Sequence, residues 1–146
     1  MSRFTDELTV THVRVNGLRR HVIVEAESFG FAVGDEASEE VIQVPQGFRS
    51  NGSSQPWFLW SLLGGPFGDA LGAGLIHDYL YRTAIYSRAD SDLIFREALL
   101  VDGVSKLKAE LMYEGVHWRG QNAWENNARL RHIHGLEFQL GREAVV

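Results

Sequence analysis

The sequence predicts an α+β fold: a small N-terminal antiparallel sheet followed by a bundle of three or four helices. Two observations carry this. Val-, Thr- and Ile-rich alternation is confined to residues 8–44, whereas from about residue 67 onward the apolar positions recur at helical spacing. Strands first and helices after is the order of α+β rather than of alternating α/β chains. At 146 residues, with 45% hydrophobic and 23% charged side chains, the chain has the length and composition of one globular domain. A strand-rich part spans 1–45, a helical part 56–134 and a peripheral tail 135–146.

The first elements are Thr9-Val10-Thr11-His12-Val13-Arg14-Val15 and Arg20-His21-Val22-Ile23-Val24. Asn16-Gly17 between them suits a hairpin turn, because both residues tolerate positive φ. Residues 29–33 and 40–44 give two further short strands, and Pro45 ends the last. The Gly-, Ser- and Asn-rich stretch 46–56 reads as a loop. Residues 57–63 are almost wholly apolar and suit one or two buried helical turns, broken by Gly64-Gly65-Pro66.

A longer helix is expected over about 67–86, although Gly68, Gly72 and Gly74 each cost about 1 kcal/mol relative to Ala, which points to close packing. Ser87-Arg88-Ala89-Asp90 has the form of a capping box and opens a second helix that stops at Gly103. Ser105 caps a third over about 106–118, and residues 123–134 form a further helical stretch.

A net charge of -5 argues against a broad electrostatic grip on nucleic acid, which needs clustered Lys and Arg. Without cysteine there is no disulfide framework, thiolate zinc site or thiol nucleophile. Residues 1–8 are charged throughout and lack the apolar stretch of a secretory signal, so synthesis in the cytoplasm is expected. No run approaches the roughly 18 apolar residues of a transmembrane segment.

The chemistry-bearing residues lie in Ile76-His77-Asp78-Tyr79-Leu80-Tyr81-Arg82 and in the next helix. His77 and Tyr81, four residues apart, share one helix face, and Asp78 is turned about 100° away. Asp92, Phe95 and Leu99 share a core-facing stripe, so Asp92 is a carboxylate pointing inward. A short connection between antiparallel helices would set Asp92 against His77, where a carboxylate fixes the imidazole tautomer and raises its basicity. The same residues also permit a purely structural reading, in which a buried His–Tyr–Asp trio stitches the helices together. Asp78 has its own second reading, an i, i+4 pair with Arg82.

The spacing His77-Asp78-x-x-Tyr81 with Asp92 on a partner helix resembles the active-site helices of phospholipase A2. Ser91-Asp92-Leu93-Ile94-Phe95 is similar to the A-D-x-x-F of the parvovirus capsid version. The resemblance implies His77 as the base that activates water, Asp92 as the carboxylate orienting it, Tyr81 as a hydrogen-bond donor to Asp92, and Asp78 as a calcium ligand. Calcium prefers oxygen ligands, and Gly64-Gly65-Pro66-Phe67-Gly68 is the loop whose carbonyls, Gly65 among them, would complete the set.

A second resemblance spans about 41–118. Val44-Pro45-x-Gly47-Phe48-x-Ser50-Asn51-Gly52-x-Ser54-x-Pro56, followed by His77-Asp78-Tyr79-Leu80-Tyr81, is similar to a family of phage and prophage proteins without assigned function. That family usually has Asp where Asn51 stands, although an Asn oxygen still ligates calcium. Asn51 and Ser54 are accordingly loop contributors expected beside the His77 helix.

The two resemblances together imply a phage-type hydrolase of an ester or amide, acting on a phospholipid or cell-envelope substrate. A non-enzymatic virion component of a tail or tail tip, contacting other virion proteins, and a cell-wall hydrolase or lysis accessory are the alternatives. In each case synthesis in the host cytoplasm, with virion association for the second, is implied.

Overall fold

The computed structural model describes residues 2–15, 19–34, 40–50 and 70–141. The six strands are β1 (Arg3–Phe4), β2 (Val10–Val15), β3 (Arg19–Val24), β4 (Gly30–Val33), β5 (Glu40–Gln43) and β6 (Arg49–Ser50). They form two antiparallel sheets of three strands, ordered β2-β3-β6 and β1-β4-β5, where a single sheet was expected. The strands expected on either side of Asn16-Gly17 pair antiparallel, with Val10 opposite Val24, and the two further short strands pair with each other, with Val33 opposite Glu40. The two added strands have two residues each, too short to show a period of two. Each sheet's pairing continues past the strand ends: the Val24 amide donates to the Phe48 carbonyl at 2.9 Å beside β3 and β6, and the Val44 amide to the Phe29 carbonyl at 3.0 Å beside β4 and β5.

The helices are α1 (Leu71–Thr83), α2 (Arg88–Val101), α3 (Lys106–Arg119), α4 (Gln121–His134) and the short α5 (Leu136–Gln139). One continuous core joins Val24, Phe31, Ile42 and Phe48 of the sheet part to Ile76 and Leu80 of α1, Phe95 and Leu99 of α2, and Met112 of α3. Apolar burial of this kind is the main term stabilising the fold. Nearly every side chain of α1 is buried, so this helix is the centre of the structure. Close packing at Gly72 is evident, because a Cβ there would stand 3.2 Å from the Phe4 ring. Ser87 caps α2 by accepting from the Asp90 amide at 3.1 Å, and Ser105 caps α3 by accepting from the Lys108 amide at 3.3 Å.

A buried helix cannot leave its terminal amides and carbonyls to water, and α1 has both ends served by other helices. Its N-cap, Ala70, has no side chain to offer, and the Asp102 carboxylate at the end of α2 accepts from the Ala73 amide at 2.9 Å. At the other end the Arg131 guanidinium of α4 donates to the carbonyls of Tyr81 and Arg82, at 3.4 and 2.9 Å. An anion at the N-terminus and a cation at the C-terminus both complement the helix dipole.

The expectation of a peripheral tail over 135–146 needs correction as far as residue 141. Phe138 is buried at 2% exposure, and its carbonyl accepts from Arg82 at 3.1 Å. One aromatic side chain in a polar stretch gives no periodic signal, so its burial could not be read from spacing. The expected turn at Asn16-Gly17, the apolar turns 57–63 and residues 142–146 lie outside the described residues.

Burial raises the Asp102 carboxyl to about 6, against the lowering effect of its bond from the Ala73 amide. The folded protein therefore holds the proton more tightly than the unfolded chain, and stability contributed by the protonated group is lost as pH rises from about 4 to about 6. Urea melts across that window should show the stability advantage of the parent over Asp102→Asn shrinking as pH rises. A constant difference would place Asp102 in ordinary solvent.

Candidate functional site

Helix spacing and the short connection at residues 84–87 bring α1 and α2 face to face, and the carboxylate of Asp92 is where they meet. The Tyr81 hydroxyl donates to Asp92 Oδ1 at 2.7 Å, and His77 Nε2 lies 3.0 Å from the same oxygen. All three side chains are fully buried. A carboxylate oxygen without a proton only accepts, so Nε2 carries the hydrogen of this bond. The imidazole is clamped between rings, with Tyr81 4.2 Å and Phe95 4.5 Å away between centroids. His77, Tyr81 and Asp92 thus form one cluster, as the spacing predicts.

Two further residues complete it. Arg88 donates from one guanidinium nitrogen to Asp92 Oδ2 at 3.2 Å and to the His117 carbonyl at 2.8 Å. His117 Nδ1 is 3.9 Å from Oδ2, close enough to feel the charge but too far for a hydrogen bond. His117, which the sequence leaves without a carboxylate partner, therefore stands beside Asp92. Arg88 was legible in principle, since it precedes Asp92 by four residues on one helix face. Nothing in the sequence aligns α3 with that face, so His117 was not.

Burial, followed by the hydrogen bond to Asp92 and its negative charge, pushes the Tyr81 phenol well above its usual value, with Arg88 acting in the opposite sense. Tyr81 is accordingly a fixed proton donor at any ordinary pH. Its hydroxyl also explains Gly120 at the junction of α3 and α4, where a Cβ would meet that oxygen at 2.6 Å.

Asp78 faces a different environment. It is 1% exposed, and its Oδ2 lies 3.5 Å from Arg82 Nε in the expected i, i+4 pair, which is buried rather than on the surface. Neither carboxylate oxygen has a hydrogen-bond donor among the described residues. The guanidinium of Arg82 is 4.7 Å from the Phe138 ring centroid. The Asp78 carboxylate thus has the Arg82 charge beside it but few donors to occupy its lone pairs. Among the described residues no group of three or more His, Asp or Glu side chains is gathered to hold a metal. The expected loop contributors Asn51, Ser54 and Gly65 lie outside the described residues.

Among the described residues no helix is long and apolar enough to cross a membrane. A family model described as "Protein of unknown function (DUF1353)" matches residues 28–116, which include His77, Asp78, Tyr81, Arg88 and Asp92. The uncharacterized protein y4jT of Sinorhizobium fredii is 40% identical over 74 residues, covering 50% of this chain and 22% of that protein. The matched stretch is therefore about a fifth of that relative's length. No solved structure matches the chain.

Replacing Asp92 by Ala strands the Tyr81 hydroxyl, the His77 N–H and Arg88 in a dry interior, and should lower unfolding stability by about 3–5 kcal/mol. Tyr81→Phe removes one donor and leaves Asp92 two others, so about 1–2 kcal/mol is expected. Urea denaturation of both variants checks the ordering, and equal losses would show that Asp92 is not the hub.

Proposed function

We propose that this chain, which belongs to the DUF1353 family of proteins of unknown function, is a phage-type hydrolase that cleaves an ester or amide by water activation at a phospholipase A2-like site. The observation that carries the reading is the wiring of His77. Asp92 Oδ1 accepts a hydrogen bond from Nε2–H, at 3.0 Å, and is itself fixed by Tyr81, at 2.7 Å, so the ring is held in a defined orientation, and in this reading Nδ1 is the nitrogen that acts as base. In the reaction, Nδ1 takes a proton from water as the water oxygen attacks the carbonyl carbon. Collapse of the tetrahedral intermediate breaks the bond to the leaving group, which recovers the proton from His77. The buried negative charge of Asp92 stabilises the imidazolium formed between those steps. Asp78 would supply one carboxylate oxygen to calcium, and the ion, when bound, would polarise the carbonyl under attack. Loop carbonyls at 64–68 are the expected source of its other ligands. A phospholipid or cell-envelope ester is the substrate class that this chemistry suits.

The complete burial of His77, Tyr81 and Asp92 favours a second reading, a virion component of a tail or tail tip that uses the cluster as scaffold. A third, a lysis accessory acting on the cell wall, would use the same base on a peptide bond.

Release of fatty acid from mixed phospholipid micelles separates these. The parent should act with calcium and lose activity on chelation. His77→Gln should lower the rate by at least about a hundredfold, as expected for loss of a general base. Asp78→Asn should abolish the calcium dependence. Absence of calcium-dependent ester cleavage across several lipids would put the virion component first, and cleavage of peptidoglycan peptides alone would put the lysis accessory first.

A further inference from the structure

An open groove of about 680 Å³ lies between the outer face of α2 and the ends of β4 and β5, where Val33 pairs with Glu40. On α2, Asp90, Leu93, Ile94, Glu97 and Leu100 line it and fall within about 120° of one another around the helix, so acidic and apolar side chains alternate along one face. Ile94 is buried and forms the floor, while Leu93 and Leu100 are 41 and 43% exposed. Glu40 stands on the sheet side, near enough to Tyr86 that its charge, after burial, helps push that phenol up. Among the described residues Arg96 is the only basic side chain lining the groove, and it is already engaged, 3.4 Å from Glu110 and 5.1 Å from the centroid of the Tyr113 ring. Glu97 accepts from the Ser2 hydroxyl, a neutral donor that leaves the carboxylate charge in place. Among the described residues none of Glu40, Asp90 and Glu97 is paired with a base.

We infer that this groove docks a basic amphipathic segment of a partner protein, whose apolar side chains cover Leu93, Ile94 and Leu100 while its Lys or Arg side chains meet Glu40, Asp90 and Glu97. The charge left over in the groove selects that chemistry. Three carboxylates without a basic partner set a negative field over an apolar floor, which favours cations carried beside Leu- or Ile-like side chains. Asp90 and Glu97 are two turns apart, about 10 Å along the helix, so one small ammonium ion reaches only one of them. Bases seven residues apart on a helical segment reach both, with apolar anchors between them. Nucleic acid and anionic lipid surfaces are repelled by the same three acids. The acids sit at the rim and the apolar side chains between them, the arrangement in which charge sets specificity and association rate while apolar contact supplies the holding energy. The inference is independent of the hydrolytic reading, since it uses no residue of the His77 cluster.

Fluorescence anisotropy of a labelled synthetic peptide tests it on the full chain, with folding of each variant checked by circular dichroism. The probe is a helix-forming sequence of Leu and Lys at amphipathic spacing, with two Lys seven residues apart. The parent should bind it, bind neither the version with Glu for Lys nor the version with Ser for Leu, and lose affinity as salt is raised. Glu40→Gln and Glu97→Gln should each weaken binding about two- to fivefold, the worth of one exposed ion pair. Leu93→Ser should weaken it about tenfold through lost apolar contact. Glu125→Gln, an exposed acid on α4 away from the groove, should change nothing. A parent that does not bind the Leu/Lys peptide, or binding that Glu97→Gln and Leu93→Ser both leave intact, would overturn the inference. So would spermidine displacing the peptide with equal strength from the parent and from Leu93→Ser, which would make the groove a site for small polycations. Self-association of the parent that Glu97→Gln abolishes would instead assign the groove to a second copy of the chain.

Discussion

The charge on Asp92 has been taken out of water, and the arrangement of three helices follows from how it is compensated. An isolated carboxylate in a dry interior is unstable by several kcal/mol, so donors must surround it in the folded state. Tyr81 and His77 come from α1, Arg88 from the first turn of α2, and Arg88 in turn holds the His117 carbonyl at the end of α3. Apolar packing gives these helices their affinity for one another but little directional preference. The hydrogen bonds at Asp92 select one rotation and one register for the α1–α2 pair, and any other leaves a buried donor or acceptor without a partner.

The same constraint governs the ends of α1. With Asp102 at one end and Arg131 at the other, a helix almost without exposed surface still satisfies its terminal groups. His77 and Asp78 therefore sit on a rigid element, one residue apart and on different faces. Asp92 and Asp78 are both buried, yet Asp92 has three donors and Asp78 only a long contact to Arg82. A carboxylate rich in donors is suited to holding an imidazole in one orientation, and one poor in donors is not. That difference is the physical basis for giving the two acids different roles in the proposed reaction.

The hub of the candidate site was legible because it depends on local geometry. Residues four apart on a helix share a face, and an inward-facing Asp92 four positions after Arg88 and seven before Leu99 follows from the same rule. The sheet was only partly legible. Alternation identified four strands, whereas β1 and β6 are defined by pairing with distant strands, and their two-residue lengths carry no pattern. His117 and Phe138 were missed for a related reason, since each reaches its partner across the fold: His117 is 3.9 Å from Asp92, and the Phe138 carbonyl is 3.1 Å from Arg82.

The sequence by itself determined the α+β order, the helix starts at Ser87 and Ser105, the pairing of His77 and Tyr81 on one face and the inward direction of Asp92. These are consequences of backbone periodicity and of side chains bonding to nearby amides, interactions that span only a few residues. Tertiary structure alone decided that the strands divide into two sheets, that Asp102 and Arg131 serve the ends of α1, and that the Asp78–Arg82 pair is buried. It also decided that Glu40 of the sheet part shares a groove with Asp90 and Glu97 of α2. Each of these depends on which surfaces meet across long separations in the chain, and that choice is made by the packing of the whole core rather than by any local pattern.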